Sequence, residues 1–147
     1  MADIVQPLAR GGMIYSRLAT KTIADLTGYD TAAAFTVTGH VRVQVYGFVG
    51  SVAITSTSVT TTLSLGTTEA SQAIRAVSTV DNAQFAATDV WVDATPSVDA
   101  EVQATSWIYV NATNIILTRS VDDLTAGSLT LYCVWEPLSA DGNVVAA

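Results

Sequence analysis

Residues 40 to 52, HVRVQVYGFVGSV, set Val41, Val43 and Val45 against Arg42, Gln44 and Tyr46 in strict alternation. In an extended chain successive side chains point to opposite faces, so a period of two gathers the valines on one side and the polar groups on the other. A helix would scatter both sets around its circumference, and the stretch is therefore predicted to be a strand with one buried face. Phe35 to Gly39, FTVTG, begins the same signal. It returns in SVTTTLSLG, where Val59, Thr61, Leu63 and Leu65 share one phase and Thr60, Thr62 and Ser64 the other, closed by Gly66. In the last run Leu129, Leu131, Cys133 and Trp135 alternate with Thr130, Tyr132, Val134 and Glu136. Gly47 and Gly50 interrupt the first run and predict a bulge, a bend or a close backbone approach.

The remaining segments extend this picture. MIYSRLAT, residues 13 to 20, is predicted to be a first strand, and the following KTIADLTGYDTAA a loop with Asp25, Gly28 and Asp30 as turn formers. SQAIRAVSTV reads as a strand or a short helix, and TDVWVDA as a strand ended by Pro96. SWIYVNA, NIILTRS and SLTLYCVWEPL follow, with DDLTAG between the last two, so residues 114 to 136 are expected to form a hairpin. Many short strands and no long amphipathic helix predict an all-β antiparallel sandwich or barrel, a β-sandwich of jelly-roll type being preferred. No fixed-period repeat points to a propeller or solenoid. Residues 1 to 12, MADIVQPLARGG, carry Ile4, Val5 and Leu8 around Pro7 and lack any periodicity, so they read as an extended N-terminal arm. Such an arm is either unstructured or ordered against a neighbour. Residues 13 to 147 then form a single domain, large enough to bury roughly 68–70% of the unfolded chain's surface.

Composition narrows function. Only 13% of the 147 residues are charged, and 21 threonines supply neutral polarity, so much of the exterior is expected to be hydroxyl-coated sheet. The formal charge of −7, with six bases in all, leaves no basic patch for phosphates, so nucleic acid is not an expected partner. No apolar run is long enough to span a bilayer and the N-terminus lacks a secretory pattern, so no membrane partner and synthesis in the cytoplasm are expected. The single cysteine, Cys133, has no internal partner and falls on the apolar phase of its strand, where it packs as a small hydrophobe.

Each candidate site meets a simpler alternative. His40 is the lone histidine, and a base needs an orienting acid and a nucleophile, while a metal needs several ligands. No G-x-S-x-G elbow is present, and a cupin-type metal site would need several histidines; no catalytic residue, metal or cofactor is expected. Asp89, Asp93, Asp99 and Glu101 surround a proline turn and could hold calcium, although their spacing matches no EF-hand and a solvated acidic loop explains them as well. Asp122 and Asp123 read as turn residues, with Gly127 supplying positive φ. Trp91, Trp107 and Trp135, with Tyr46, Tyr109 and Tyr132, could form an aromatic platform of the kind on which a sugar-binding sandwich stacks its ligand, although the alternation reads Trp135 as core. Trp91 lies out of phase with Val90 and Val92 and is expected to face a ligand or a neighbouring subunit. The candidate partner contacts are thus Ile4, Val5, Pro7, Leu8 and Trp91.

The runs FTVTGHVRVQVYGFVGSV and NIILTRSVDDLTAGSLTLYCVW, with the ending WEPLSADGNVVAA, resemble small β-sandwich virion structural proteins of tailed bacteriophages, most closely capsid decoration (cement) proteins. The likeness spans residues 35 to 147 and lies in texture: V-T-G before one strand, T-A-G before the last, and a terminal P-L-S-x-D-G. It implies a jelly-roll homotrimer on the outer surface of the virion capsid, clamping neighbouring copies of the major capsid protein. Modules of similar texture occur in phage tails and fibres, where the function would be receptor or carbohydrate binding.

Overall fold

The computed structural model describes residues 16 to 80, 85 to 93, 95 to 96 and 106 to 147. The proposed arm, with Ile4, Val5, Pro7 and Leu8, lies outside the described residues, as do Asp99 and Glu101. The described chain is all-β and antiparallel, as the alternation predicts. One sheet places β1 (Arg17–Ile23) beside β11 (Leu129–Pro137), β11 beside β3 (His40–Val49), and on the far edge of β3 two short strands, β7 (Val90–Trp91) and β8 (Ile108–Asn111). The second sheet runs β12 (Asn143–Ala146), β2 (Ala32–Thr38), β9 (Ile115–Ser120), β5 (Thr62–Gly66), β6 (Arg75–Thr79). A two-stranded ribbon joins β4 (Thr55–Ser56) to β10 (Leu124–Ala126).

The two sheets bury their apolar phases against each other. Val41, Val43, Val45, Leu129, Leu131, Cys133 and Trp135 of the first sheet meet Phe35, Val37, Leu63, Leu65, Ile115 and Leu117 of the second. Leu26, Ile54 and Phe85 from loops and Leu124 from β10 close the core, each essentially inaccessible to solvent. Such interdigitated faces are what period-two patterning produces when two sheets stack. Gly39 is the single residue between β2 and β3, and it carries the chain from one sheet to the other at φ 59°, a conformation that suits glycine.

Three expectations are corrected. Residues 114 to 136 are not a hairpin: β9 pairs with β2 and β5 in one sheet, whereas β11 pairs with β1 and β3 in the other. The intervening DDLTAG segment is a bridge between sheets, and its residues from Leu124 onward pair with β4. Val59 is not core; it is 79% exposed in the turn before β5. Trp91 does not face outward. It is fully buried, because β7 pairs Trp91 with Gly47, whose phase on β3 points inward. Gly47 has no side chain there, and the indole occupies that space: a Cβ on Gly47 would lie 3.0 Å from Trp91 Cε3. The glycine is thus a close approach, one of the readings its position allowed. SQAIRAVSTV resolves to a strand, and β1 runs three residues past the expected end of the first strand.

Candidate binding surface

The outer face of the first sheet is the notable surface, and register fixes its composition. Cross-strand partners share a face, so the pairings give four rows. Tyr109, Arg42 and Glu136 form the first; Gln44, Val134 and Leu18 the second; Tyr46, Tyr132 and Thr20 the third. Val90, Phe48, Thr130 and Thr22 form the fourth. Leu18 is 61% exposed, Tyr109 71% and Phe48 40%, with Val134 and Tyr132 half-buried between them. Phe48 and Tyr132 meet edge to face at 5.3 Å between ring centroids, an arrangement that holds both rings in place. Trp107 covers the Arg42 guanidinium, which lies 4.8 Å from its ring centroid. The only charges in the four rows, Arg42 and Glu136, neutralise each other in an ion pair.

The second sheet presents a different exterior. Thr36, Thr38, Thr62, Thr79 and Thr118 alternate with its core residues, as the threonine content suggests. The two exteriors therefore differ: the second sheet exposes threonines with two valines, Val77 and Val145, and the first exposes aromatics. Contiguous apolar area of a few hundred Å² on a small protein marks an interaction surface more often than chance. The signal was present in the sequence: Tyr46, Phe48, Tyr132 and Val134 are apolar or aromatic residues on the phase that should be polar. Tyr46, Tyr109 and Tyr132 belong to the aromatic platform that the sequence offers and do share this face, whereas Leu18 carries no signal of its own in the sequence.

The other candidates have local, structural roles. His40 is exposed at the start of β3. Its neighbours Ser139 and Asp141 have the residue types of a triad without the geometry of one. The Ser139 hydroxyl accepts the His40 backbone N–H at 2.8 Å and donates to Asp141 Oδ1 at 2.6 Å, so it ties the turn before β12 to the start of β3. That hydroxyl bond holds the Asp141 carboxyl below the ordinary carboxylate value, and His40 adds a smaller effect in the same direction. Asp89 is buried and accepts the Ala86 N–H at 3.0 Å, while Asp93 accepts the Thr95 N–H at 2.6 Å. Both are turn acceptors. Among the described residues no three His, Cys, Asp or Glu side chains converge on a common point. An open groove of about 260 Å³ lies between Thr67, Thr68, Glu69, Asn111 and Thr113, with a single carboxylate and no base beside it. Cys133 is buried, and desolvation pushes its thiol up to about 12, where it stays protonated and unreactive.

Two arginines missed at the level of sequence fasten the sandwich. Arg119 Nε donates to the Tyr29 carbonyl at 2.9 Å, and its Nη2 sits 3.4 Å from Asp30 and 3.3 Å from Asp123. It thereby joins the loop after β1 to the segment after β9. Arg75 is buried and donates from Nη2 to the Val45 carbonyl at 2.5 Å. Val45 falls in the interval of β3 between the residues paired with β8 and those paired with β7, so the guanidinium supplies the donor that no described strand provides. Burial lowers its affinity for the proton, as expected for a cation removed from water. Comparison of the chain with family models, with curated proteins and with solved structures finds no match.

Proposed function

We propose that this chain is a non-enzymatic capsid decoration protein of a tailed bacteriophage, a homotrimer that binds the outside of the mature head and stabilises it. The observation that carries the reading is the aromatic, charge-neutral outer face of the first sheet on an otherwise largely hydroxyl-coated sandwich. Such a face suits permanent contact within a lattice and offers no chemistry for turnover. The strand order adds support for a jelly-roll protomer. With β7 and β8 taken as one edge strand and β4, β10 and β12 set aside, eight strands remain, and their order, β1-β11-β3-β7/β8 in one sheet and β2-β9-β5-β6 in the other, is the interleaving of two wound Greek keys. The mechanism is mass action: a ligand that binds the expanded shell and not its precursor shifts the balance toward the expanded shell. Many weak contacts repeated over a lattice then act together through effective concentration.

The test is binding of the purified chain to expanded heads and to precursor heads, with copies per particle counted by quantitative mass spectrometry. Saturable binding to expanded heads at about one copy per capsid subunit, weakened by Tyr109→Glu, supports the reading. Equal binding to both forms, or none, overturns it. The exposure of Tyr109, 71%, favours one rival in particular, stacking of a sugar ring by a receptor-binding module of a tail or fibre. A handful of copies per particle together with glycan binding lost in Tyr109→Ala would establish that rival.

A further inference from the structure

We propose that the outer face of the first sheet receives the N-terminal segment, residues 1 to 12, of a second copy of this chain, so that copies join arm to face. The inference deepens the proposed function by naming how the oligomer is built, and it concerns the free protein before any capsid is present.

The point where the segment meets the fold comes first. Ser16, the residue before β1, donates its hydroxyl to Glu136 Oε1 at 2.7 Å. Glu136 belongs to the first row of the aromatic face, so residues 1 to 15 join the sandwich at a corner of that face. β1 runs from this row toward the Thr22–Thr130 row, so its N-terminal end opens onto the space past the end of the sheet. Fifteen residues extended reach roughly 50 Å, whereas the face is roughly 20 Å long from its first row to its fourth. The reach suits a neighbour and exceeds what covering the segment's own face requires.

Chemistry matches next. In an extended segment Ile4 and Leu8 fall on one side with Gln6 between them, a spacing that meets alternate rows of a sheet. Asp3 and Arg10 cancel, as Arg42 and Glu136 cancel on the face. For a chain of net charge −7, a pairing of two neutral surfaces adds no repulsion between copies.

Area then decides between two ways of joining copies. Four rows across three to four strands cover roughly 300 Å², well under the roughly 800 Å² per partner of a stable interface. A single contact on this face falls short alone, so an arrangement that gives each copy two such contacts is favoured over two faces pressed together. In an arm-to-face arrangement each copy gives an arm and receives one, and the contacts close as a reciprocal pair or, where the rotation between copies closes, as a ring.

The experiment uses the full chain and two single-cysteine substitutions, Leu8→Cys and Thr20→Cys, the latter in the third row of the face. The buried native thiol of Cys133 does not interfere. The two variants, one carrying a mass tag, are mixed and oxidised, and the products are resolved without reductant. The expected result is a disulfide between tagged and untagged chains, together with sedimentation of the unmodified protein as a closed oligomer. Ile4→Asp with Leu8→Asp, and separately Leu18→Glu, should each convert that oligomer to a monomer. Thr20→Arg serves as a second face variant should Leu18→Glu not fold. A monomer in which the double variant Leu8→Cys, Thr20→Cys closes within one chain overturns the proposal, since the arm then covers its own face. An oligomer that survives the Ile4→Asp, Leu8→Asp change also overturns it. Binding to expanded heads is read separately, so loss of capsid affinity with intact self-association would strike only the proposed function.

Discussion

Arg42 and Glu136 face each other across β3 and β11, and the guanidinium Nε donates to Glu136 Oε2 at 2.6 Å while Trp107 lies over its other side. The Glu136 side chain is 7% accessible and that of Arg42 is 30% accessible, so the carboxylate depends on its partners more than the guanidinium does. Glu136→Ala should lower stability by about 1–3 kcal/mol, because a partly buried cation loses its acceptor and Ser16 loses its own. Glu136→Gln keeps one acceptor oxygen for the guanidinium and turns an amide N–H toward the Ser16 hydroxyl, which can accept it, so it should cost less. Urea unfolding of the three proteins at one pH measures the order, and equal midpoints would show that the pair contributes nothing.

Trp91 is the second test. Its indole N–H donates to the Ser78 hydroxyl at 2.8 Å, and its ring packs edge to face on Phe85 at 5.5 Å. Trp91→Ala should cost about 3–5 kcal/mol as a large buried aromatic is lost beside Gly47. Trp91→Phe keeps most of the packing but removes the donor to the Ser78 hydroxyl, which is left with a long bond to the Asp93 carbonyl at 3.5 Å, for about 1–3 kcal/mol. Trp91→Phe with Ser78→Ala should recover part of that loss. If instead Trp91 served a partner, both substitutions would leave the unfolding midpoint unmoved and weaken association alone.

What the sequence disclosed and what it withheld divide along one physical line. Alternation states which side chains share a face, and it correctly assigned Val41 to Val45 and Leu129 to Trp135 to the interior. It carries no information about which strand lies beside which. NIILTRS and SLTLYCVW therefore looked like a hairpin although the chain changes sheets between them. Trp91 was misplaced because β7 has two residues, and Val92 beyond its end follows no alternation with it. The aromatic face was half legible. Tyr46, Phe48 and Tyr132 stood on the polar phase, but only register shows that they adjoin one another, and that Leu18 and Tyr109 complete the surface.

Gly39 gives a prediction about the corner between the sheets. At φ 59°, with the position of a Cβ 2.5 Å from Asp141 Oδ1 and 2.6 Å from Ser139 Oγ, alanine meets both backbone strain and contact. Gly39→Ala should cost at least about 1–2 kcal/mol from the backbone alone. Adding Asp141→Ala should relieve the carboxylate contact and leave the strain and the Ser139 Oγ contact, so the double variant falls between the single variant and the parent. Thermal unfolding of the set checks this, and strictly additive losses would show that the carboxylate is not the obstacle.

The Asp141 carboxyl itself offers a pH test. The Ser139 hydroxyl favours its ionised form, so its folded-state value lies below the ordinary value of 3.8. A lowered carboxylate adds stability above the unfolded-state value, and the contribution fades as pH falls through the folded-state value. Ser139→Ala should move the Asp141 titration upward, toward 3.8, in a carboxyl NMR titration. The variant should also lose the part of the acid dependence that this side chain contributes. An unmoved titration would mean that the backbone, and not the hydroxyl, sets the value.

Cys133 reports on the other end of the pH scale, where the sign reverses. Its thiol, ordinarily at 9.0, is pushed up to about 12 by burial, so between these limits the folded chain keeps a proton that the unfolded chain gives up. Stability then falls with rising pH across that window, since the slope follows the protons bound in the unfolded state minus those bound in the folded state. Cys133→Ala should flatten this part of the profile above pH 9, measured as the difference between variant and parent so that tyrosine and lysine contributions cancel. A small loss from the missing sulfur should accompany it at neutral pH, as for any trimmed core residue. The same burial predicts that a thiol reagent at pH 8 leaves the native protein unlabelled and reacts fully once urea exposes the chain. Rapid labelling of the native protein would place Cys133 outside the core and contradict the pairing of β11 between β1 and β3 on which the aromatic face depends.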